Sequence, residues 1–111
     1  MNINLQQDNG LTTATLDETR LDASVAPDFK AAMEAIIQSG NNQLILDISR
    51  LSFMDSSSLG AMVAVLKQVG GTGKMVVLGA SGAVLELFKL TRMDRIFTLS
   101  DNLESAKQHF S

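Results

Sequence analysis

An aspartate and three consecutive serines, Asp55-Ser56-Ser57-Ser58, stand where an apolar helical pattern begins. Aspartate and serine side chains cap helices by accepting hydrogen bonds from the free N–H groups of the first turn. One capping residue is enough for that role, so four polar residues in a row exceed it. A serine hydroxyl at an exposed helix start also suits phosphorylation, because the free N–H groups and the helix dipole stabilise an added phosphate. The residues alone leave both alternatives open.

A glycine-rich segment at residues 70–74 superficially resembles a phosphate-binding loop. That motif has a glycine, four arbitrary residues and Gly-Lys followed by Ser or Thr, and it lies between a strand and a helix. Here Gln68 occupies the outer glycine position, Met75 follows Lys74, and the expected order is helix and then strand. The segment is therefore predicted to end a helix and form a turn.

Few side chains are available for acid–base or metal chemistry. The chain has no cysteine, and its one histidine, His109, lies in the last predicted helix. A serine nucleophile needs an adjacent base, commonly histidine, and the sequence has no Gly-x-Ser-x-Gly elbow. We therefore expect His109 to be an exposed helix-end residue. We predict no catalytic residue, no cofactor and no metal site, which fits a protein that is not an enzyme.

Composition favours a single domain at residues 1–111. The chain is 45% apolar and 19% charged, which suffices for a packed core. A net charge of −3 argues against a nucleic-acid surface. The longest apolar run, residues 59–66, is far shorter than the ~20 residues of a membrane span, and residues 1–4 lack the pattern of a secretory signal. We expect a cytoplasmic monomer without a membrane partner.

The first residues predict a β-hairpin. Ile3 and Leu5 alternate with polar residues, and β-branched residues are frequent in residues 11–16. Between the two runs, Asn9-Gly10 supplies residues that tolerate the positive φ of a tight turn.

Helical and strand patterns alternate after the hairpin. A first helix is predicted from Pro27, which suits a first helical turn, to a stop at Gly40. Short apolar runs at residues 44–48 and 74–78 predict strands buried on both faces. Residues 56–69 between them predict a second helix with an apolar stripe.

The last part of the chain continues the alternation. Ser81 is predicted to cap a third helix, and residues 96–99 predict a short edge strand. Asp101, followed three residues later by Glu104, resembles a capping box at the start of a last helix. The whole pattern predicts an α/β domain. Its mixed β-sheet of four to five strands starts with the N-terminal hairpin and packs against about four α-helices.

Residues 51–60, with the sequence LSFMDSSSLG, resemble the signature of STAS domains, specifically the bacterial anti-sigma factor antagonists (anti-anti-sigma factors). Their pattern is Asp-Ser-Ser/Thr-Gly-Leu-Gly. Leu21-Asp22 is similar to the Leu-Asp pair that precedes the first helix in that family. Further segments match in order and spacing: residues 44–47, 73–78 and 85–91. The resemblance implies a single STAS-like domain.

In that family the serine directly after the aspartate accepts phosphate, which implies Ser56 here and makes Ser57 the less favoured candidate. The resemblance also implies partner switching. The unphosphorylated form binds an anti-sigma factor with GHKL-type serine kinase activity and frees the sigma factor. Phosphorylation breaks the complex, and a PP2C-like phosphatase restores it. The partner-binding residues that the resemblance implies are Asp22, Asp55, Ser56, Ser57, Ser58, Leu59 and Gly60.

Two positions depart from the family pattern. Ser58 stands where glycine is usual, which adds a third adjacent hydroxyl, and Thr19 stands where a glycine commonly precedes the Leu-Asp pair. Two other functions stay open. One is an unphosphorylated STAS accessory or scaffold subunit, for example of a transporter ATPase. The other is a small-molecule or nucleotide sensor, for which the sequence offers no dedicated pocket residues.

Overall fold

The computed structural model describes residues 1–71 and 73–110. The strands are β1 (Ile3–Asp8), β2 (Leu11–Leu16), β3 (Arg20–Leu21), β4 (Gln43–Asp47), β5 (Phe53–Met54), β6 (Lys74–Leu78) and β7 (Thr98–Ser100). The helices are α1 (Ala26–Gln38), α2 (Ser56–Val69), α3 (Gly82–Leu90) and α4 (Leu103–Gln108), with a 3₁₀ turn at Met93–Arg95. Thr72, which belongs to the glycine-rich segment, lies outside the described residues.

β1 and β2 form the hairpin that the alternating residues predict. They pair antiparallel and in register, from Ile3 with Leu16 to Asp8 with Leu11. The connecting residues Asn9 and Gly10 have φ values of 52° and 81°. Positive φ at both central residues gives the tight turn that fits the twist of the two strands and favours Asn-Gly. The hairpin prediction is confirmed.

The main sheet has five strands in the order β1-β2-β4-β6-β7. The β1–β2 pair is antiparallel, and the other three pairs are parallel. Successive side chains of a strand point to opposite faces. On the central strand β4, Leu44 and Leu46 therefore join one apolar layer, while Ile45 joins the other. The predicted mixed sheet with interior strands buried on both faces is confirmed.

The two apolar layers differ in size. The larger layer lies under α1, α2 and α3 and includes the fully buried Met33, Met62 and Phe88. The smaller layer lies under α4 and includes Val76 and Ala106. Burying one large apolar side chain stabilises the fold by roughly 1.5–3 kcal/mol. The larger layer therefore fixes α1 and α2 side by side on one face of the sheet.

The boundaries of the first two helices agree with the prediction. α1 has Pro27 in its first turn, and Gly40 follows its end with φ of 100°. α2 begins at Ser56 and is followed by Gly70 with φ of 69°. Left-handed backbone at both glycines ends the helices without steric strain. Ser81 is the N-cap residue of α3, although its side chain makes no capping hydrogen bond within the described part of the chain.

Two predicted details near the end of the chain are wrong. Asn102, not Asp101, caps α4, and its side-chain oxygen accepts a hydrogen bond of 2.9 Å from the Ser105 N–H. Asparagine caps helices as well as aspartate does, so the spacing alone did not separate the neighbours. The edge strand β7 begins at Thr98 rather than Ile96, because the chain passes through the 3₁₀ turn before it joins the sheet.

A second, two-stranded sheet was not predicted. β3 and β5 pair in parallel, with Arg20 opposite Phe53 and Leu21 opposite Met54. Strands of two residues are too short to show a hydrophobic period. This pairing brings the segment before α1 next to the start of α2.

Candidate functional site at the start of α2

Asp55 connects β5 to α2 and caps the helix. Its backbone is extended, with φ of −116° and ψ of 179°, and its Oδ1 accepts a hydrogen bond of 2.9 Å from the Ser58 N–H. This side-chain bond replaces one of the missing intrahelical partners of the first turn. Asp55 is therefore the N-cap residue of α2. The three serines that follow it differ in burial.

The same carboxylate reaches a second segment of the chain. Its Oδ2 accepts a hydrogen bond of 2.9 Å from the Ala23 N–H. Ala23 lies in a turn at residues 22–25, closed by a 3.1 Å bond from the Val25 N–H to the Asp22 carbonyl. We call this segment the 22–25 turn. Asp55 thus ties the 22–25 turn to the start of α2.

Hydrogen bonds also set the charge state of Asp55. The Ser58 N–H is the main cause that holds the pKa of the Asp55 carboxyl below its usual value, against a smaller opposing effect of burial. The Ser58 hydroxyl and the Ala23 N–H lower this pKa further. Donors that bond the charged form favour it. Asp55 is therefore ionised at neutral pH.

Ser58 is the buried member of the serine run. Its side chain is fully buried, and its hydroxyl donates to the Leu21 carbonyl oxygen. The Ser58 Oγ also lies 3.0 Å from the Asp55 Oδ1, so one hydroxyl proton faces two acceptors. Ser58 is therefore part of the internal packing between β3 and α2, and its hydroxyl is not accessible from solvent in this structure.

Ser56 and Ser57 are exposed on the first turn of α2. One turn further on, Gly60 is exposed as well, and a Cβ added there would have no contact atom within 4 Å. Residues four apart lie on the same helix face. Ser56 and Gly60 therefore form an exposed strip next to Asp55, the capping residue, while the intervening Leu59 is buried.

The 22–25 turn carries the second carboxylate of the site. Asp22 Oδ1 accepts bonds from the Ser24 N–H at 3.1 Å and from the Ser24 hydroxyl at 2.6 Å. The Ser24 hydroxyl is the main cause that lowers the pKa of the Asp22 carboxyl. Arg20 lies 3.6 Å from the Asp22 carboxylate, and its guanidinium lies 4.6 Å from the centre of the Phe53 ring. Asp22 is ionised and partly exposed.

The structure therefore divides the seven predicted partner-binding residues into two groups. Five lie at the surface around the start of α2: Asp22, Asp55, Ser56, Ser57 and Gly60. Ser58 and Leu59 lie beneath them and are buried.

Other residues of the site were not found from the sequence. The Leu21 carbonyl and the Ala23 N–H are backbone groups, which leave no mark in a sequence. The exposed Phe53 under Arg20 depends on the two-residue pairing of β3 with β5. One signal was available for Ser58, because it lies in register with the buried Met62, four residues further along α2.

Other features of the described residues lie away from the start of α2. His109 is exposed at the end of α4, where its carbonyl accepts a 2.8 Å bond from Lys74 Nζ. Two grooves of about 380 and 300 Å³ open beside the hairpin, and neither is lined by a residue of the α2 start. Within residues 1–71 and 73–110 no cluster of acidic, histidine or cysteine side chains suits a metal ion. In the same part of the chain, no helix combines the length and apolar character needed to cross a membrane.

The fold and the site define a class of protein. It is a small α/β domain whose sheet opens with a hairpin and whose exposed serines lie on a capped helix start, away from the two grooves beside the hairpin. The sequence pattern of the STAS domain family matches residues 2–106, and the chain belongs to this family.

Comparison with individual proteins agrees with this assignment. An anti-sigma-B factor antagonist of Staphylococcus aureus is 26% identical over 85 residues, which cover 76% of this chain and 79% of that protein. The structure of an anti-sigma factor antagonist from Mycobacterium paratuberculosis superimposes with a TM-score of 0.88 at 21% identity, over 97% of this chain and 92% of the other. The anti-sigma factor antagonist SpoIIAA in its unphosphorylated form gives a TM-score of 0.69 at 21% identity, over 97% and 96% of the two chains. The phosphorylated form of SpoIIAA, from Bacillus, gives the same TM-score.

Proposed function

We propose that this STAS domain is an anti-sigma factor antagonist that works by partner switching. In its unphosphorylated form it binds an anti-sigma factor with GHKL-type serine kinase activity and so frees the sigma factor. Phosphorylation of Ser56 breaks the complex, and a PP2C-like phosphatase restores the binding form. In this role residues 1–111 form a single domain that acts as a monomeric cytoplasmic regulator and catalyses no reaction itself.

The division within the serine run carries this proposal. Ser56 and Ser57 present their hydroxyls to solvent on the first turn of α2, while Ser58 is buried and bonded to the Leu21 carbonyl. A kinase can reach an exposed hydroxyl without unfolding the helix. Capping is already supplied by Asp55, so the exposed serines are not needed for it. Ser56 is preferred over Ser57 because it directly follows the aspartate, as in the family pattern.

Charge explains how one phosphate would act as a switch. Asp55 is ionised beside Ser56, and the partly exposed Asp22 is ionised on the adjacent turn. A phosphoserine adds about −1.5 to −2 charges at neutral pH. Within the domain, the N-terminal end of the helix dipole stabilises this charge. In a docked complex the same charge is desolvated and repelled by acidic neighbours, so binding weakens while the fold persists.

The relatives support the same interpretation. SpoIIAA, which shares this fold, has structures in both phosphorylated and unphosphorylated forms. The Staphylococcus aureus relative is an anti-sigma-B factor antagonist. The exposed surface at Ser56 and Gly60 lies away from the two grooves beside the hairpin, and it suits a protein partner better than a small molecule, which binds in concave pockets.

Site mapping by mass spectrometry tests the assignment. The wild-type chain is incubated with ATP and the anti-sigma factor kinase that it captures, in parallel with Ser56→Ala and the matched control Ser57→Ala. We expect one phosphate on wild type and on Ser57→Ala, located at Ser56, and none on Ser56→Ala. Phosphate on Ser57 alone would move the switch by one residue, and no phosphate on wild type would reject it.

Affinity capture separates the proposal from its alternatives. Immobilised wild-type chain should retain an anti-sigma factor that carries ATP-dependent serine kinase activity. Recovery of a transporter ATPase in its place would indicate an accessory subunit. A rise in melting temperature on addition of a nucleotide or metabolite would indicate a sensor, because any ligand that prefers the native state stabilises it.

A further inference from the structure

Ser58 has no part in the proposed phosphorylation, although it is the serine that departs from the family pattern. Its side chain is fully buried, and both oxygen atoms within its reach belong to other segments or to the cap: the Leu21 carbonyl and the Asp55 Oδ1. The single hydroxyl proton lies between these two acceptors, so the buried hydroxyl links the Leu21 carbonyl to the Asp55 carboxylate.

Ser58 and Asp55 make adjacent ties to the segment before α1. Ser58 bonds to the carbonyl of Leu21, and Asp55 bonds to the N–H of Ala23, two residues further along. Asp22, whose carboxylate is partly exposed, lies between these two attachment points. Its position relative to α2 is therefore fixed from both sides.

Removal of the Ser58 hydroxyl would release one of these ties. Ser58→Ala leaves the Leu21 carbonyl buried without its donor, which favours conformations in which that carbonyl reaches water. The Asp55 carboxylate would lose one of its neighbours and retain its bonds to the Ser58 and Ala23 N–H groups. Alanine is compatible with the first turn of a helix, so the fold should persist.

We propose that Ser58 is a positioning residue. Its buried hydroxyl holds the 22–25 turn against the start of α2, so that Asp22 and the Ser56 face bind the anti-sigma factor as one rigid surface. This inference rests on the proposed function of the α2 start. A surface that is ordered before binding loses less conformational entropy in the complex. When the ordered form is only partly populated, the apparent affinity falls by that fraction.

The structural part of the proposal is testable without a partner. Amide hydrogen exchange of Ala23 and Val25 is measured in wild type, in Ser58→Ala and in the control Thr12→Val. The Thr12 hydroxyl is also buried, and it donates to Asn41 at the opposite end of the sheet. We expect Ser58→Ala to accelerate exchange at Ala23 about tenfold, the size of one lost hydrogen bond. Thr12→Val should leave it unchanged. Unchanged exchange in Ser58→Ala overturns the proposal.

The functional part is tested by a double-mutant cycle with the captured anti-sigma factor. Asp22→Asn removes the charge of the turn and keeps an acceptor for Ser24. We expect Ser58→Ala to weaken binding about 5–10-fold in the wild-type background and less than about twofold in the Asp22→Asn background, because the two residues act through one surface. Thr12→Val, which loses a comparable buried bond, should bind as wild type does.

The possible outcomes separate this inference from the proposed function. An undiminished effect of Ser58→Ala in the Asp22→Asn background, or no effect of either single variant on binding, overturns the positioning role. In those cases phosphate mapped to Ser56 leaves the proposed function intact. Failure of the wild-type chain to bind any anti-sigma factor rejects the proposed function and the binding role of Ser58 together.

Discussion

The two ends of the sheet use the same device for different purposes. Where the parallel strands end, the Asp55 side chain accepts hydrogen bonds from Ser58 and Ala23 and joins α2 to the 22–25 turn. Where they begin, the Asn41 side chain accepts from Gln7 Nε2 at 2.6 Å and from Thr12 Oγ1 at 3.0 Å. Asn41 also donates to the Ile36 carbonyl at 3.1 Å and so joins the hairpin to the end of α1. At each end one polar side chain thus links two separate parts of the chain.

The difference between the ends lies in charge and exposure. Asn41 is neutral and sits past the C-terminal end of a helix, where the free groups are carbonyls. Asp55 is ionised and sits at a helix start with the exposed hydroxyls of Ser56 and Ser57 beside it. A polar side chain that links separate segments is therefore found at both ends of the sheet. The start of α2 differs in that an exposed serine hydroxyl, which can be phosphorylated, lies beside the ionised Asp55.

The largest expected effect on binding comes from a negative charge at Ser56, with the same charge at Ser39 as the control. Ser56→Glu should weaken binding of the anti-sigma factor about 100-fold, because it adds a negative charge to a desolvated acidic surface. Ser39→Glu adds the same charge on an exposed residue just after α1, at the other end, and should change affinity less than about twofold. Titration calorimetry checks both. Equal losses would show that net charge, and not the α2 start, controls binding.

Removal of the Asn41 or the Asp55 side chain should give the next largest effect. Asn41→Ala leaves two donors and the Ile36 carbonyl without their partner and should lower the free energy of unfolding by about 1–3 kcal/mol. Asp55→Ala should also lower stability, because the N-cap and the tie to Ala23 are lost together. Only Asp55→Ala should weaken the anti-sigma factor complex after correction for the unfolded fraction. Urea unfolding and calorimetry measure the two properties, and a comparable loss of binding in Asn41→Ala would remove the distinction between the ends.

Glycine replacements should act with opposite signs at the two ends. Gly60→Ala should raise stability by about 0.5–1 kcal/mol, since alanine is the better helix former and its Cβ meets no atom within 4 Å. Gly73→Ala should lower stability by about 1–3 kcal/mol, because its Cβ would clash with the Asn42 carbonyl oxygen. Thermal unfolding of the two variants checks the signs. A destabilising Gly60→Ala would contradict the open surface described beside Ser56.

Low pH should weaken the hydrogen bonds of Asp55 and leave those of Asn41 unchanged. The folded pKa of Asp55 lies below its value in the unfolded chain, about 3.9, so its contribution to stability is complete above that pH and is lost as pH falls through the folded value. Asn41 has no such dependence. Between pH 6 and pH 3, amide exchange at Ser58 and Ala23, corrected for its intrinsic pH dependence, should therefore rise relative to exchange at Thr12. In Asp55→Asn this pH-dependent difference should shrink, and a difference of unchanged size would assign the effect to another carboxyl group.

Local rules predicted most of the fold. Asn9-Gly10 between alternating residues indicated the hairpin, and the continuous apolar runs of β4 and β6 indicated strands buried on both faces. The pairing of β3 with β5 was missed, because two residues carry no period and the pairing depends on contacts about 33 positions apart in the chain. Asn102 was missed because its neighbour Asp101 is an equally good cap by residue type.

The candidate site was predictable in place but not in detail. The run of polar residues from Asp55 to Ser58 indicated where to look, and the aspartate proved to be the cap. The division into exposed Ser56 and buried Ser58 follows from the helical period, which puts Ser58 above Met62 on the core side. The partners of Asp55 and Ser58 before α1, the Ala23 N–H and the Leu21 carbonyl, were not predictable, because backbone N–H and carbonyl groups are the same at every residue.

In the proposed function, one phosphate on Ser56 sets the affinity of the domain for its anti-sigma factor. The most direct test measures the dissociation constant of a single preparation before phosphorylation, after stoichiometric phosphorylation by the captured kinase, and after removal of the phosphate by a PP2C-type phosphatase. We expect the dissociation constant to rise about 100-fold with phosphate and to return to its first value without it. Equal affinity in all three states would show that phosphorylation of Ser56 does not control binding.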